Sequence, residues 1–133
     1  MKTTRIIAST VLALACALVL QPAQAQQTGT HRTELQRHDL SIPGWETVQV
    51  RVDFDPGKGV PNHTHPGEEI VYVLAGTLEY RLEGKPPVTL KAGDVFFVQK
   101  GVVHGAKNIG SDNASELSTY VVEKGKPLVQ VVK

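Results

Sequence analysis

Residues 45–54 read WETVQVRVDF, and this stretch decides the fold class. From its fourth residue onward, every second side chain is apolar, namely Val48, Val50, Val52 and Phe54. Because successive side chains of an extended chain point to opposite faces, this period of two predicts a β-strand with one buried and one exposed face. The sequence DPGKG at residues 55–59 then predicts a turn.

Short apolar segments separated by turn residues continue on the C-terminal side of this strand. They predict further strands at residues 70–74, 78–82, 88–91, 95–99, 103–107, 116–123 and 128–132. Turn signals recur about every ten residues, and helical periodicity is nearly absent after residue 25. The pattern predicts an all-β domain over residues 31–133, built as a double-sheet jelly-roll barrel of roughly six to ten strands with a ligand-binding mouth.

The first 25 residues have the layout of a secretory signal peptide. Two basic residues precede the apolar run of residues 6–20, and the small-x-small sequence AQA follows at residues 23–25. A transmembrane anchor and a lipoprotein modified at Cys16 are the alternatives. Because the segment has no paired arginines, we expect export by the general secretory route to the periplasm or the extracellular space.

The predicted organisation is a signal peptide at residues 1–25, a leader with the first strand at 26–44, a barrel core at 45–125 and a C-terminal strand at 126–133. The length of 133 residues fits one domain. With 14 basic and 13 acidic residues, the charge is nearly balanced, so we expect no nucleic-acid partner and no membrane association after signal cleavage. The single cysteine lies in the signal segment and leaves the mature domain without a disulfide.

A His-x-His pair at His63 and His65 lies on chain that is predicted to be extended, so both imidazoles can point to one face. Two glutamates at residues 68–69 open the next strand, and one of them can return a carboxylate to that face. His104 opens a later strand. Three imidazoles and one carboxylate suit a divalent first-row ion such as Fe, Mn, Co, Ni, Cu or Zn, and suit Ca or Mg badly.

The spacing around these residues resembles the two motifs of the cupin superfamily. The first motif, a glycine, a His-x-His pair, a glutamate and a second glycine, is matched at Gly57, His63, His65, Glu69 and Gly76. The second motif is matched at Gly93, Gly101, His104 and Asn108, with Gln99 where the family has proline. The resemblance covers about residues 45–125. Few residues separate the two motifs, as in small single-domain, quercetinase-like cupins.

This resemblance implies that His63, His65, Glu69 and His104 are the ligands of one divalent transition metal ion. Glu68 fits the motif less well, and we interpret it as an acid at the rim of the site or just behind the ligands. The glycines at residues 76, 93 and 101 are expected in tight turns, and Asn108 is expected to hold a loop.

The resemblance leaves several activities open. A metal-dependent oxygenase acting on a small organic molecule is the first hypothesis, with Glu69 as a possible general base. Arg51, Tyr80 and Tyr120 are candidate substrate contacts, against the alternative that they are ordinary strand residues. A cupin that binds a small molecule or a metal without turnover is the second hypothesis, and an isomerase or lyase that needs no O₂ is the third.

The apolar run at residues 70–74 predicts a strand that is covered on both faces. The barrel can cover only one set of its alternating side chains. The other set, Ile70, Tyr72 and Leu74, needs a second cover, and we therefore expect a homodimer.

Overall fold

The structure is a computed structural model that describes residues 29–132, and within this range it contains ten β-strands and no helix. The strands are β1 (Thr30–Asp39), β2 (Trp45–Phe54), β3 (Gly59–Thr64), β4 (Gly67–Ala75), β5 (Thr77–Leu82), β6 (Val88–Lys91), β7 (Val95–Val98), β8 (His104–Asn108), β9 (Ala114–Glu123) and β10 (Gln130–Val131). The all-β prediction is confirmed. The predicted signal peptide lies outside the described residues. None of the residues that the structure describes form a helix that could cross a membrane.

The strands form two antiparallel sheets of five strands each. The first sheet has the order β1-β2-β9-β4-β7, and the second has the order β10-β3-β8-β5-β6. Strands adjacent in sequence are often not neighbours in a sheet, which is the crossing pattern of the predicted jelly roll. The longest pairing joins β2 to β9 from Trp45↔Glu123 to Phe54↔Ala114, and it makes the rigid centre of the first sheet.

The alternation in β2 is observed as predicted. The side chains of Val48, Val50, Val52 and Phe54 are buried between the sheets. They pack in one core cluster with apolar side chains of the other strands, among them Val71, Val73, Leu78, Leu90 and Val122. Burying each such side chain contributes about 1.5–3 kcal/mol, so this cluster stabilises the barrel and holds its inner wall in place.

The first strand is longer than the sequence pattern suggested, because β1 begins at Thr30, at the end of the expected loose leader. It shows no alternation since it lies at the edge of the first sheet and most of its side chains are exposed. Only its first residues turn side chains toward the interior, with Thr30 buried and Arg32 half-buried. The last strand is shorter than expected and covers only Gln130–Val131.

Within one chain, residues 70–74 are covered on one face only, and the cover of the other face by a second subunit stays a prediction. Val71 and Val73 are fully buried, whereas Ile70 and Tyr72 are each 45% exposed. The reason is that β4 lies in a sheet whose inner face alone meets the second sheet. The exposed side chains of β4 and the paired strand β7 form one continuous apolar surface, which we call the outer β4–β7 face: Ile70, Tyr72, Leu74, Val95 and Phe97.

Gly76 and Asn108 have the structural roles that were expected of them. Gly76 has a φ of 76°, and a Cβ at this position would lie 2.6 Å from the Cβ of Ala114, so only glycine fits this turn. The buried Asn108 amide donates to the carbonyls of Phe54 and Asp112 and accepts from the Gly110 N–H. Asn108 therefore holds the loop between β8 and β9.

Candidate metal centre

The four predicted ligands come from both sheets and meet inside the barrel. His63 and His104 are cross-strand partners on the neighbouring strands β3 and β8 of the second sheet. His65 follows β3 directly, and Glu69 lies on β4 of the first sheet. All four side chains are between 1% and 4% exposed. Polar side chains from both sheets therefore occupy the interior of the barrel at this place.

A register shift in β3 aims His63 inward. The pairing of β3 with β8 is irregular between Val60 and His63, and the two intervening residues, Pro61 and Asn62, are exposed. An irregularity of this kind changes which side chains share a face. As a result, Val60 and His63 both line the same interior cavity although they are three residues apart.

The ligand nitrogens of His63, His65 and His104 lie within 4.8 Å of one another, and the Glu69 carboxylate lies beside two of these histidines. His63 Nε2 is 3.2 Å from His65 Nε2, and Glu69 Oε2 is 3.3 Å from His65 Nε2 and 3.1 Å from His104 Nε2. Donors bound to one ion at about 2.0–2.2 Å are separated by about 3.0–3.5 Å in octahedral cis or tetrahedral geometry. The three histidines can therefore hold a single transition metal ion, with Glu69 next to His65 and His104.

The backbone determines which nitrogen of each histidine faces the interior. The Nδ1 atoms of His63, His65 and His104 lie 2.7, 2.6 and 2.9 Å from the carbonyl oxygens of Pro61, Leu128 and Val102, respectively. A carbonyl oxygen only accepts, so each Nδ1 carries the hydrogen and each neutral ring directs an Nε2 lone pair inward. In this neutral state three imidazole lone pairs point inward beside the Glu69 carboxylate, which is the kind of donor set that a cation requires.

The pKa values of two ligands favour this ligation state. Burial lowers the pKa of His63 to about 4, and the neighbouring histidines act in the same direction. Burial raises the pKa of Glu69, but the neighbouring imidazoles of His104 and His65 outweigh it and hold this pKa well below its usual range. A carboxylate with so low a pKa is a weak base, so Glu69 is better suited to a ligand role than to the general-base role suggested above.

The cavity beside these ligands has a volume of about 10 Å³, which is room for a single water molecule. Three of the predicted ligands line it, namely His63, Glu69 and His104. The other lining residues are Arg32, Val60, Tyr80, Ala106, Glu116 and Tyr120. Tyr80 and Tyr120, two of the three predicted substrate contacts, thus lie in the cavity wall.

Arg51, the third predicted substrate contact, lies elsewhere, and that prediction is wrong. It sits on the outer side of β2, where its guanidinium pairs with Asp53 at 2.8 Å. The alternation of β2 explains this position, because Arg51 is between the buried Val50 and Val52 and must point outward. Glu68 also points away from the cavity, since it precedes the inward-facing Glu69 on β4.

Glu116 is a functional candidate that the sequence reading missed. It is 3% exposed, accepts a hydrogen bond from the Tyr80 hydroxyl at 2.7 Å and is 3.3 Å from the Ser118 hydroxyl. Burial and the negative charge of Glu69 raise the pKa of Glu116 to about 8. A signal was present, since Glu116, Ser118 and Tyr120 share one face of a predicted strand, and a polar stripe on the inner face of a barrel marks a site rather than a core.

Comparisons with known proteins identify the class to which this fold and site belong. The family model of the cupin domain matches residues 50–129. The chain therefore belongs to the cupin family, as the motif spacing indicated.

Individual relatives are known in plants and bacteria. Germin-like protein subfamily 2 member 2 of Arabidopsis thaliana is 43% identical over 90 residues, which are 59% of this chain and 40% of that protein. This chain spans about two fifths of the length of the curated relatives it matches.

Two solved structures resemble the fold closely. A conserved protein with a double-stranded β-helix domain from Klebsiella pneumoniae superposes with a TM-score of 0.66 at 26% identity, covering 81% of this chain and 89% of that chain. An oxalate oxidase in complex with the substrate analogue glycolate superposes with a TM-score of 0.65 at 26% identity, covering 81% of this chain and 57% of that chain.

Removal of single ligands tests the metal centre. We expect wild-type protein to hold about one Zn²⁺ or Mn²⁺ ion per chain, and His63→Ala or His104→Ala to lose stoichiometric binding because three donors remain around a buried gap. Elemental analysis after gel filtration gives the ratio. Glu68→Ala, whose side chain faces away, should keep the ion. If Glu69→Ala keeps the ion while Glu68→Ala loses it, the carboxylate ligand has been assigned to the wrong neighbour.

The raised pKa of Glu116 predicts that the stability of the metal-free protein depends on pH. Its pKa is about 8 in the folded chain against 4.5 for the ordinary group, so the folded state retains a proton that the unfolded chain releases. This contribution to the free energy of unfolding is fully present below pH 4.5 and is lost as the pH rises through 8.

Urea denaturation of wild type and of Glu116→Gln across this window measures the effect. We expect the difference in unfolding free energy, wild type minus variant, to fall by at most about 1.4 kcal/mol per pH unit, because the amide does not titrate. Parallel stability curves for the two proteins would show that Glu116 titrates normally.

Proposed function

We propose that this cupin is a metal-dependent oxygenase that acts on a small organic molecule. The observation that carries the proposal is the buried cluster of His63, His65 and His104, with the Glu69 carboxylate beside it. When bound there, a divalent transition metal ion would supply Lewis-acid and redox chemistry, and four protein ligands would leave room for further ligands on an octahedral ion.

The size of the cavity restricts the substrate. Its volume of about 10 Å³ is far below the range of about 300–1,000 Å³ that is typical of sites for drug-sized ligands. The oxalate oxidase that shares the fold was solved in complex with glycolate, a molecule of only a few heavy atoms. Both observations support a substrate of this size rather than a polycyclic one such as a flavonol.

Glu116 and Tyr80 supply the proton chemistry of the proposed reaction. Their hydrogen bond of 2.7 Å lies in the cavity wall. With a pKa raised to about 8 by burial, Glu116 holds a proton near neutral pH and can exchange it with a substrate atom or with Tyr80. The Glu116–Tyr80 pair also favours the alternative that the protein is an isomerase or lyase, which transfers protons without consuming O₂.

We also propose that the protein works outside the cytoplasm. The support is the signal-like layout of residues 1–25, with its basic start, its apolar run and the AQA sequence. The metal centre would then fill in the periplasm or the extracellular space.

Oxygen uptake distinguishes the candidate functions. Protein loaded in turn with Mn²⁺, Fe²⁺, Ni²⁺ and Cu²⁺ is offered small hydroxy acids, enediols, thiols and, as a large substrate, a flavonol, while an electrode follows O₂ and chromatography follows product. We expect metal-dependent uptake with a small substrate. His104→Ala should abolish it, and Glu116→Gln should lower kcat by about a hundredfold or more.

Glu68→Gln is the matched carboxylate control, because Glu68 faces away from the cavity, and it should keep wild-type turnover. Product formed without oxygen uptake would replace the oxygenase by the isomerase or lyase. A ligand that binds to the loaded protein and returns unchanged would make the protein a binding cupin.

We propose further that the outer β4–β7 face joins two copies of the chain. Its five side chains are large, uncharged and between 41% and 67% exposed, and they cover two paired strands at one edge of the first sheet. A face without charges is complementary to itself under twofold symmetry, so a second copy fits it. A stable interface buries about 800 Å² on each partner, and this face supplies the apolar centre of such an area.

Light scattering tests the association. We expect a dimer at micromolar concentration for the wild type and a monomer for Phe97→Glu, because the variant places a charge in the apolar centre of the interface. Leu35→Glu is the control, since Leu35 is 54% exposed but lies on β1 at the opposite edge of the sheet, and it should remain a dimer. A wild-type mass that corresponds to one chain would refute this proposal.

A further inference from the structure

The cavity beside the metal ligands is closed in this structure. Its volume of about 10 Å³ is room for a single water molecule, whereas even the smallest organic molecules have several heavy atoms. A site that receives such a molecule must therefore move part of its wall. Movements of this kind, by side chains or loops at the mouth of a site, commonly control how fast ligands enter and leave.

The wall of the cavity reaches the solvent at two residues. Nine described residues line the cavity, and seven of them are only between 1% and 4% exposed. The other two are Arg32 on β1 and Val60 on β3, and both are partly exposed. Among the residues that the structure describes, these two alone connect the cavity to the surface, so the way in passes between them.

Arg32 and Val60 lie where the two sheets meet along an open seam, which we call the β1–β3 seam. Strand β1 is the edge of the first sheet, and β1 and β3 belong to different sheets, so no ladder of backbone hydrogen bonds joins them. The hydrogen bond that crosses this seam in the described chain runs from the Thr30 hydroxyl to the Gly59 carbonyl at 3.3 Å. Side chains at the seam can therefore move without breaking a sheet.

The side chain of Arg32 is held less firmly than the other arginine side chains. Within residues 29–132, Arg37, Arg51 and Arg81 each form an ion pair with a carboxylate at 2.9 Å or less. Over the same range, the guanidinium of Arg32 forms one hydrogen bond, which it donates to the Tyr120 hydroxyl at 3.1 Å. A long side chain with one such contact can turn toward solvent by rotation about single bonds, without a change in the backbone.

We propose that Arg32 is the gating residue of this cavity. In the closed position, which the structure shows, its guanidinium lies on the Tyr120 hydroxyl and fills the space between β1 and β3. Opening turns the side chain outward along the β1–β3 seam, while Val60 forms the opposite wall of the entrance. The inference rests on the metal centre of the proposed function, since only a centre that receives a small molecule needs an entrance.

Stopped-flow absorption of the Co²⁺-loaded protein measures access to the centre. The visible absorption of Co²⁺ changes when an added ligand coordinates the ion, so the association rate constant follows without any turnover. Imidazole is the probe at about pH 8.5, where the free molecule is largely neutral and the charge of Arg32 neither attracts nor repels it. Elemental analysis confirms the Co²⁺ content of each protein first.

Variants of Arg32 and Tyr120 separate the bulk of the side chain from the hydrogen bond that holds it. Tyr120→Phe removes only the hydrogen bond, and we expect association to be about 2- to 10-fold faster than in the wild type. Arg32→Met also loses the hydrogen bond but keeps the length of the side chain, so it should match Tyr120→Phe. Arg32→Ala removes the bulk as well and should be faster than both, by about tenfold or more over the wild type. Arg51→Ala, which shortens an arginine on the outer surface, should keep the wild-type rate.

A pair of valine variants tests the opposite wall of the entrance. Val60→Ala widens the entrance and should speed association by about threefold or more. Val73→Ala is the matched control, because Val73 is fully buried in the core and does not line the cavity. It removes the same atoms and should keep the wild-type rate.

Four results would overturn the inference. Equal rates in wild type, Arg32→Ala and Tyr120→Phe, with Co²⁺ bound in each, refute the gate and leave the metal centre standing. Equal acceleration in the Arg51 and Val73 controls assigns the effect to a general loosening of the barrel. A Co²⁺ spectrum that imidazole changes in none of the proteins shows that opening this seam does not reach the ion. Failure of the wild type to hold Co²⁺ removes the centre and the gate with it. Tyr120→Phe and Val60→Ala keep the test valid if Arg32→Ala does not fold.

Discussion

Each histidine of the centre donates its Nδ1 hydrogen away from the cavity, to a backbone carbonyl. Because one ring nitrogen is thereby occupied, the other must present its lone pair to the interior, and three such lone pairs meet the Glu69 carboxylate. Two of the carbonyls, those of Pro61 and Val102, lie two residues before their histidines, so the local backbone conformation places them. The third belongs to Leu128, so the C-terminal segment must close over the barrel before His65 is oriented.

The barrel keeps this cluster of polar ligand side chains apart from the apolar core. Along β9, the inward positions change from Glu116, Ser118 and Tyr120 to the apolar Val122 within one strand. Unpaired polar groups between sheets would be costly, and here each is satisfied by another. Tyr80 donates to Glu116, and Arg32 donates to Tyr120. The apolar cluster supplies the stability that allows this polar wall to exist.

Two buried carboxyl groups of the same cavity are held in opposite states. The neighbouring imidazoles of His104 and His65 keep the pKa of Glu69 well below its usual range, against the effect of burial. Glu116 lies instead beside the Tyr80 and Ser118 hydroxyls, so burial dominates and raises its pKa to about 8. Pairs of carboxyl groups whose surroundings separate their pKa values divide the work of a site, and here one can serve as a ligand while the other holds a proton.

The sequence by itself determined the features that depend on local order along the chain. The alternation of residues 45–54 predicts a strand and its buried face, since the period of two belongs to any extended chain. The spacing of His63, His65, Glu69 and His104 singles out these residues as one cluster, because three of them lie within seven positions and a turn brings them to one face. The glycine turns follow in the same way from backbone sterics.

Tertiary structure decided everything that depends on which strands become neighbours. Arg51 was expected in the site and Arg32 was not, although both are arginines on strands with polar residues around them. The face of each strand and the order β1-β2-β9 place Arg51 outside and carry Arg32 to Tyr120, 88 positions away in the chain. Glu116 meets Tyr80 for the same reason, across 36 positions and from the opposite sheet. Such contacts leave no periodic trace in the sequence, because they arise from the packing of two sheets rather than from the geometry of one strand.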